Sequence, residues 1–347
     1  MRAVALDLGA CALGRAIDAQ GLPLDGGSPL LGRRVVLEPR SPRPNEREPI
    51  VSPLWTGVRT IDALLTIGRG ARIGVFGPPG TGKSSLIESI VAGCRCDAIV
   101  VALVGERGRE AQRWIAGRAP RMTVVCATSD RPARERIAAT HVAVAQASAL
   151  RERGLHVLLV LDSLARVAAA LREAGVAAGE STGRAGYPPS VFADLARLVE
   201  VAGAVAAGSI TLVATVLGDG DDRDPVSEAA RSLLDGHIAL SLRLAESGRF
   251  PAIDAPASTS RTMDLVAEEP HLRAAARLRE ALALLQRLDD ARALGIEPSD
   301  RMGRAAVAAE SQIERFLRQG RATANPEESI AELIAIAALL EGADARR

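Results

Sequence analysis

Gly77-Pro78-Pro79-Gly80-Thr81-Gly82-Lys83-Ser84 fits the pattern G-x-x-x-x-G-K-[ST] and constrains this chain more than any other stretch. A glycine-rich turn of this kind needs a strand before it and a helix after it. Both are legible: Arg72-Ile73-Gly74-Val75-Phe76 is a short apolar run, and residues 84–92 read as a helix. Among 43 Lys+Arg residues, Lys83 is the single lysine. The chain has kept lysine at the one place where arginine would not serve. A compact ammonium on a flexible stem can reach between phosphates, whereas a forked guanidinium is bulkier and not equivalent. The loop therefore points to a nucleoside triphosphate, ATP first. Gly77, Gly80, Thr81, Gly82, Lys83, Ser84 and Ser85 are the candidate phosphate-side residues. Backbone N–H groups from Gly80 to Ser84 would cradle phosphates at a helix N-terminus, where the dipole favours anions. The Ser84 hydroxyl would ligate Mg²⁺.

Strands and helices alternate beyond this loop. Residues 98–104 form a β-branched strand, then come a helix over 109–117, a strand over 123–127 and a long helix over 131–153. A buried strand over 155–161, a helix over 164–174 and strands over 209–216 and 237–242 complete the series. Near-continuous apolar strands alternating with helices predict a parallel sheet covered on both faces, an α/β fold of the P-loop NTPase kind. After about Met263 the pattern is helical to the end, over 272–288, 302–317 and 329–340, which predicts a small helical C-terminal domain. Residues 1–53 are punctuated by Gly21, Pro23, Gly26, Gly27, Pro29, Pro42 and Pro44 and read as short strands and turns. The expected division is 1–53 (β-rich segment), 54–265 (nucleotide-binding domain) and 266–347 (helical domain), with no internal repeat.

Composition narrows the function. The chain has 347 residues and is 48% hydrophobic, enough for a sizeable core. A net charge of +1 gives no bulk attraction to nucleic acid, and 2% aromatic content leaves little for base-stacking platforms, so no nucleic-acid partner is expected. Cys11, Cys94, Cys96 and Cys126 lack the spacing and the His company of a metal or redox site and read as reduced, packed thiols of a cytosolic protein. The N-terminus places Asp7 where a signal peptide needs an apolar run, and no stretch approaches a membrane span.

Two carboxylates fall at strand ends. Asp162 follows the apolar run that ends at Leu161, where it could hold Mg²⁺ through water. Glu106, in Gly105-Glu106-Arg107-Gly108-Arg109-Glu110, follows the strand ending at Val104. A carboxylate there can orient and deprotonate an attacking water, although spacing alone fits a solvated charge cluster equally well.

Longer matches give a resemblance. Ala12-Leu13-Gly14-Arg15 with Pro23-Leu24-Asp25-Gly26, Thr56-Gly57-Val58-Arg59-Thr60-Ile61-Asp62, the Gly105–Glu110 run and Gly186-Tyr187-Pro188-Pro189-Ser190-Val191-Phe192 are similar to the rotary-type hexameric ATPases. So are Gly220-Asp221-Asp222, Leu234-Asp235-Gly236-His237-Ile238, Phe250-Pro251-Ala252-Ile253-Asp254, Ser258-Thr259-Ser260-Arg261 and Phe316-Leu317-Arg318-Gln319. Within that superfamily the chain most resembles the ATPases of type III secretion systems, virulence or flagellar, from about Leu13 to Gln319.

The resemblance implies a RecA-like ATPase domain and particular roles. Lys83 and Ser84 would hold phosphate and Mg²⁺, Glu106 would be the general base, and Asp162 the strand-end carboxylate. Arg261 would reach a neighbouring subunit's site as a finger, stabilising charge on the transferring phosphoryl group. Phe250 would pack on adenine, and Arg107 would sit near the nucleotide, a structural ion pair being an equal reading of it. Implied partners are a homohexamer, a stator regulator, a central stalk protein and chaperone–effector complexes, at the cytosolic face of the inner membrane. The chain departs from the pattern: it begins near the end of the family's N-terminal β-barrel, so residues 1–53 would be its remnant and linker. It is also compressed between Leu288 and Ala305 and has Gly218 in place of a larger residue. The rival readings are a rotary ion-pump catalytic subunit, an RNA-translocating hexamer and a nucleotide-binding scaffold without catalysis.

Overall fold

The structure, a computed structural model, describes residues 4–37, 40–217, 224–294, 298 and 300–342. Gly218 and the Gly220-Asp221-Asp222 motif lie outside the described residues. Contacts divide the chain into two compact units, neither continuous in sequence: Met1–Ile50 with Arg69–Phe76 and Cys96–Asp235, and Val51–Gly68 with Gly77–Arg95 and Gly236–Arg347. This grouping follows packing and differs from the three consecutive spans that composition suggests.

The first unit is built on a parallel sheet. Its strands stand in the order Arg72–Gly77, Gly208–Leu217, His156–Asp162, Ala98–Val104, Met122–Ala127, Ala16–Ile17. Ala98 pairs with Val157 and Leu103 with Asp162 on one side, and Ile99 with Met122 and Val104 with Ala127 on the other, all parallel. Every residue of Ala98–Val104 is buried, as a central strand covered on both faces requires. Burying each valine or isoleucine there contributes about 2 kcal/mol, so Val101→Asp would be among the most damaging single changes. The helix Ala133–Arg151 covers one face with Ala139, Val142, Ala143 and Leu150 fully buried; its alanines let it lie close to the strands.

The N-terminal stretch belongs to this same unit. Ala16–Ile17 pairs parallel with Val124–Val125 and forms the edge strand. Leu8, Ala12, Ile17 and Leu30 join the sheet's core. Gln146 fastens Gly9 to the helix: its Oε1 accepts from the Gly9 N–H at 2.7 Å and its Nε2 donates to the Gly9 carbonyl at 2.9 Å. Arg15 grips Asp25 with two N–H donors at 2.9 and 3.1 Å, and Arg118 adds a contact at 3.3 Å. The Arg15 guanidinium, helped by the Ala16 and Gly27 N–H groups, holds the Asp25 carboxyl far below the usual range although its side chain is buried.

The second unit holds the helices of the C-terminal part: Glu269–Ala293, Arg301–Leu317 and Pro326–Gly342. Leu278, Leu282, Ile313, Phe316, Leu333 and Leu340 pack inward, and the short helix Arg59–Leu64 is buried among them. Asp62 in that helix accepts from Thr56 N–H (2.8 Å), Thr56 Oγ1 (2.7 Å) and Gly57 N–H (2.9 Å), closing the turn that precedes it. Desolvation pushes Asp62 up to about 6 against the pull of those bonds.

Two expectations shift. The strand expected over 237–242 is Gly236–Ala239, because Ser241 caps a new helix, Leu242–Glu246. The helices Pro189–Val199 and Pro225–Leu233, absent from the sequence reading, start on proline, and Asp224 caps the second through the Ser227 N–H at 2.9 Å. The four cysteines are free thiols, Cys94 and Cys126 buried and Cys11 and Cys96 half-buried. Among the described residues no helix is long and apolar enough to cross a membrane.

Candidate active site

The P-loop follows from local chemistry. Gly80 and Gly82 have φ of +86° and +85°, a left-handed geometry that only glycine adopts without strain. Gly82 then caps the helix Lys83–Gly93, so the first N–H groups of that helix point at the turn. Thr81, buried, donates from Oγ1 to the Pro78 carbonyl at 2.8 Å and fixes the loop from inside. Lys83 Nζ donates to the carbonyls of Gly77 at 2.5 Å and Pro78 at 2.8 Å. Ser84 and Ser85 are exposed at the helix start.

Beside the loop lies a pocket of ≈ 370 Å³ lined by Val58, Thr81, Gly82, Ser85, Leu86, Leu240, Phe250, Gln319 and Arg321, among others. Its size suits a small ligand, and its walls are mostly apolar with few polar groups. Phe250 is 46% exposed, and its ring edge lies 3.6 Å from where a Cβ on Gly82 would sit. A flat apolar face thus adjoins the phosphate-type turn. Sequence reasoning missed Leu86, Gln319 and Arg321 as lining; nothing local marks them.

The strand-end carboxylates lie in the first unit. Asp162 closes its strand opposite Leu103 and accepts a hydrogen bond from Thr215 Oγ1 at 2.6 Å. Glu106, three residues beyond Leu103, is 5% exposed and paired with Arg166 of the helix Leu164–Ala177. Its Oε2 is buried without a hydrogen-bond partner among the described residues. Gly105, at φ +69°, lets Arg166 approach: a Cβ there would stand 3.2 Å from Arg166 Cδ. Burial lowers the Arg166 pKa from its ordinary value. The solvated-cluster reading of Glu106 does not hold, since its side chain is buried and ion-paired. Arg107 is exposed and precedes the helix Gly108–Ala116. Arg261 is exposed just after the strand Thr259–Ser260. The Ser84 hydroxyl and the Asp162 carboxylate are each, taken singly, an oxygen donor of the type a hard divalent cation such as Mg²⁺ takes.

A loop of this pattern, between the strand Arg72–Gly77 and the helix Lys83–Gly93, defines a P-loop nucleoside-triphosphatase. Residues 57–260 match the ATP synthase alpha/beta family, nucleotide-binding domain. The chain is 42% identical over 342 residues to a type 3 secretion system ATPase of Xanthomonas euvesicatoria, covering 96% of this chain and 77% of that one. It is 44% identical over 336 residues to a flagellum-specific ATP synthase of Bacillus subtilis, covering 93% and 76%. The solved structure of the assembled ATPase EscN in complex with its central stalk EscO, from the enteropathogenic E. coli type III secretion system, aligns with a TM-score of 0.90 at 39% identity over 96% of this chain and 83% of that one. The chain belongs to the ATP synthase alpha/beta family, in the branch of type III secretion and flagellar export ATPases, and it is an ATP-hydrolysing enzyme.

Proposed function

We propose that this chain energises protein export through a type III secretion apparatus, hydrolysing ATP as a homohexamer at the cytosolic face of the inner membrane. What carries the reading is a nucleotide loop whose single lysine is held in place, in a chain more than 40% identical to secretion and flagellar ATPases over nearly its whole length. Relatives from both branches match alike, so the proposal is drawn at the level of the export apparatus.

Lys83 and the N–H groups of Gly80 to Ser84 hold the β- and γ-phosphates. Ser84 and Asp162 would hold Mg²⁺, which when bound would neutralise charge on the phosphates. Glu106 takes a proton from the water that attacks the γ-phosphorus, and ADP leaves as the bond to the bridging oxygen breaks. Phe250 packs on the adenine. Arg261 enters from a neighbouring subunit to stabilise the transferring phosphoryl group, and its exposure suits that task. Arg107 stands near the nucleotide. The EscN–EscO complex supports a ring and a central stalk as partners; a stator regulator and chaperone–effector complexes complete the set, with turnover driving chaperone release and substrate unfolding. Glu106→Gln is expected to abolish turnover while leaving ATP binding within a few-fold of wild type. Retained turnover would remove Glu106 from the base role.

A further inference from the structure

We propose that Arg321 is an affinity residue for the nucleotide: its guanidinium stacks on the base, on the face turned away from Phe250. The inference deepens the proposed function and rests on its reading of the ≈ 370 Å³ pocket as the ATP site.

A base is a flat π system with two faces to cover. Phe250 supplies one planar wall against Gly82, while Val58, Leu86 and Leu240 give only aliphatic contacts. Two other lining residues carry planar side-chain groups, Gln319 its amide and Arg321 its guanidinium. Gln319 is fully engaged elsewhere. Its Oε1 accepts from the Arg59 N–H at 2.7 Å, and its Nε2 donates to the carbonyls of Gly57 and Ala322, both at 2.8 Å. Those bonds use every hydrogen of the amide and pin the turn that follows the helix Arg301–Leu317. The Gln319 N–H also donates to the Phe250 carbonyl at 2.9 Å. Phe250 and Arg321 therefore stand on one hydrogen-bonded frame, with Arg321 two residues from the clamp.

Arg321 is exposed and makes no ion pair or side-chain hydrogen bond among the described residues. A guanidinium is planar, weakly hydrated and well suited to stacking on a π face. Lysine carries the same charge without the plane, and phenylalanine carries the plane without the charge. The two substitutions therefore separate stacking on the base from attraction to the phosphates.

The test is isothermal titration of the full chain and of Arg321→Ala, Arg321→Phe and Arg321→Lys with Mg²⁺·ATP and with inorganic Mg²⁺·tripolyphosphate, which has no base. The alanine variant should bind ATP roughly 3- to 10-fold more weakly and tripolyphosphate as before. Phenylalanine should restore ATP affinity and lysine should not. Equal weakening for both ligands, rescue by lysine alone, or unchanged ATP affinity in the alanine variant would overturn the inference. Failure of the unsubstituted, folded chain to bind ATP would overturn the proposed function itself, and the inference with it.

Discussion

The Lys83 ammonium lies 2.5 Å from the main-chain oxygen of Gly77 and donates to it, while a second bond at 2.8 Å reaches Pro78. Two converging carbonyls suit a rotatable ammonium; the fixed fork of a guanidinium cannot satisfy both and still present a point charge to phosphate. Lys83→Arg should lower steady-state phosphate release by at least about 100-fold. Turnover within a few-fold of wild type would contradict the role given to this residue.

Glu106 is buried against Arg166, whose side chain is 31% exposed. Removing the cation leaves a buried carboxylate without its partner, a loss of several kcal/mol in a dry site and less here because water reaches the arginine. Arg166→Ala should cost about 2 kcal/mol in urea unfolding. Adding Glu106→Gln should recover part of that loss, because the uncompensated charge is gone. Strictly additive effects would show that the pair is not coupled.

Two buried groups set opposing pH dependences. Burial brings His156 down to about 4, beside Arg69, with Asp97 pulling the other way and Nδ1 2.5 Å from Ser209 Oγ. Unfolded, it titrates near 6.5, so its contribution is present above that pH and is lost as pH falls toward 4. Asp62 behaves inversely. Its folded value of about 6 exceeds the unfolded value near 3.9, so its contribution is present below about pH 4 and lost as pH rises through 6. Each amounts to roughly 3 kcal/mol over its window. The stability gap between wild type and His156→Gln should therefore shrink from pH 7.5 to 4.5. The gap to Asp62→Asn should widen over the same interval. Urea unfolding at the two pH values checks both signs.

Gln319→Leu keeps the approximate volume but cuts three hydrogen bonds that fix the turn at the pocket. The KM for ATP should rise about 10-fold with kcat little changed, since the turn bears on binding and not on the reacting phosphate. A collapse of kcat at constant KM would contradict this placement.

The P-loop was legible because its demands are local: glycines at two left-handed positions and a helix start, all within eight residues. The central strands were legible because burial on both faces leaves an unbroken apolar run at Ala98–Val104. Arg166 and Thr215 were not legible as partners of Glu106 and Asp162, since register between distant strands and helices brings them together and no spacing encodes it. Gln319 carries no local signal, and its engagement with Gly57 and Arg59 exists only once the C-terminal helices pack. Arg15, Asp25 and Asp62 teach the converse. They lie in stretches that carry the family resemblance, yet the structure uses them to fasten turns and an edge strand. The helix at Leu242–Glu246 was missed because Leu240 to Leu242 continue a strand-like alternation, and only the Ser241 cap breaks it.

ATP turnover per subunit, measured against protein concentration for the unsubstituted chain and for Arg261→Ala, tests the central claim that sites are completed between subunits. The account predicts specific activity that rises steeply with concentration and is lost in the variant, with ATP binding retained. Turnover per subunit that is independent of concentration and insensitive to Arg261→Ala would contradict it.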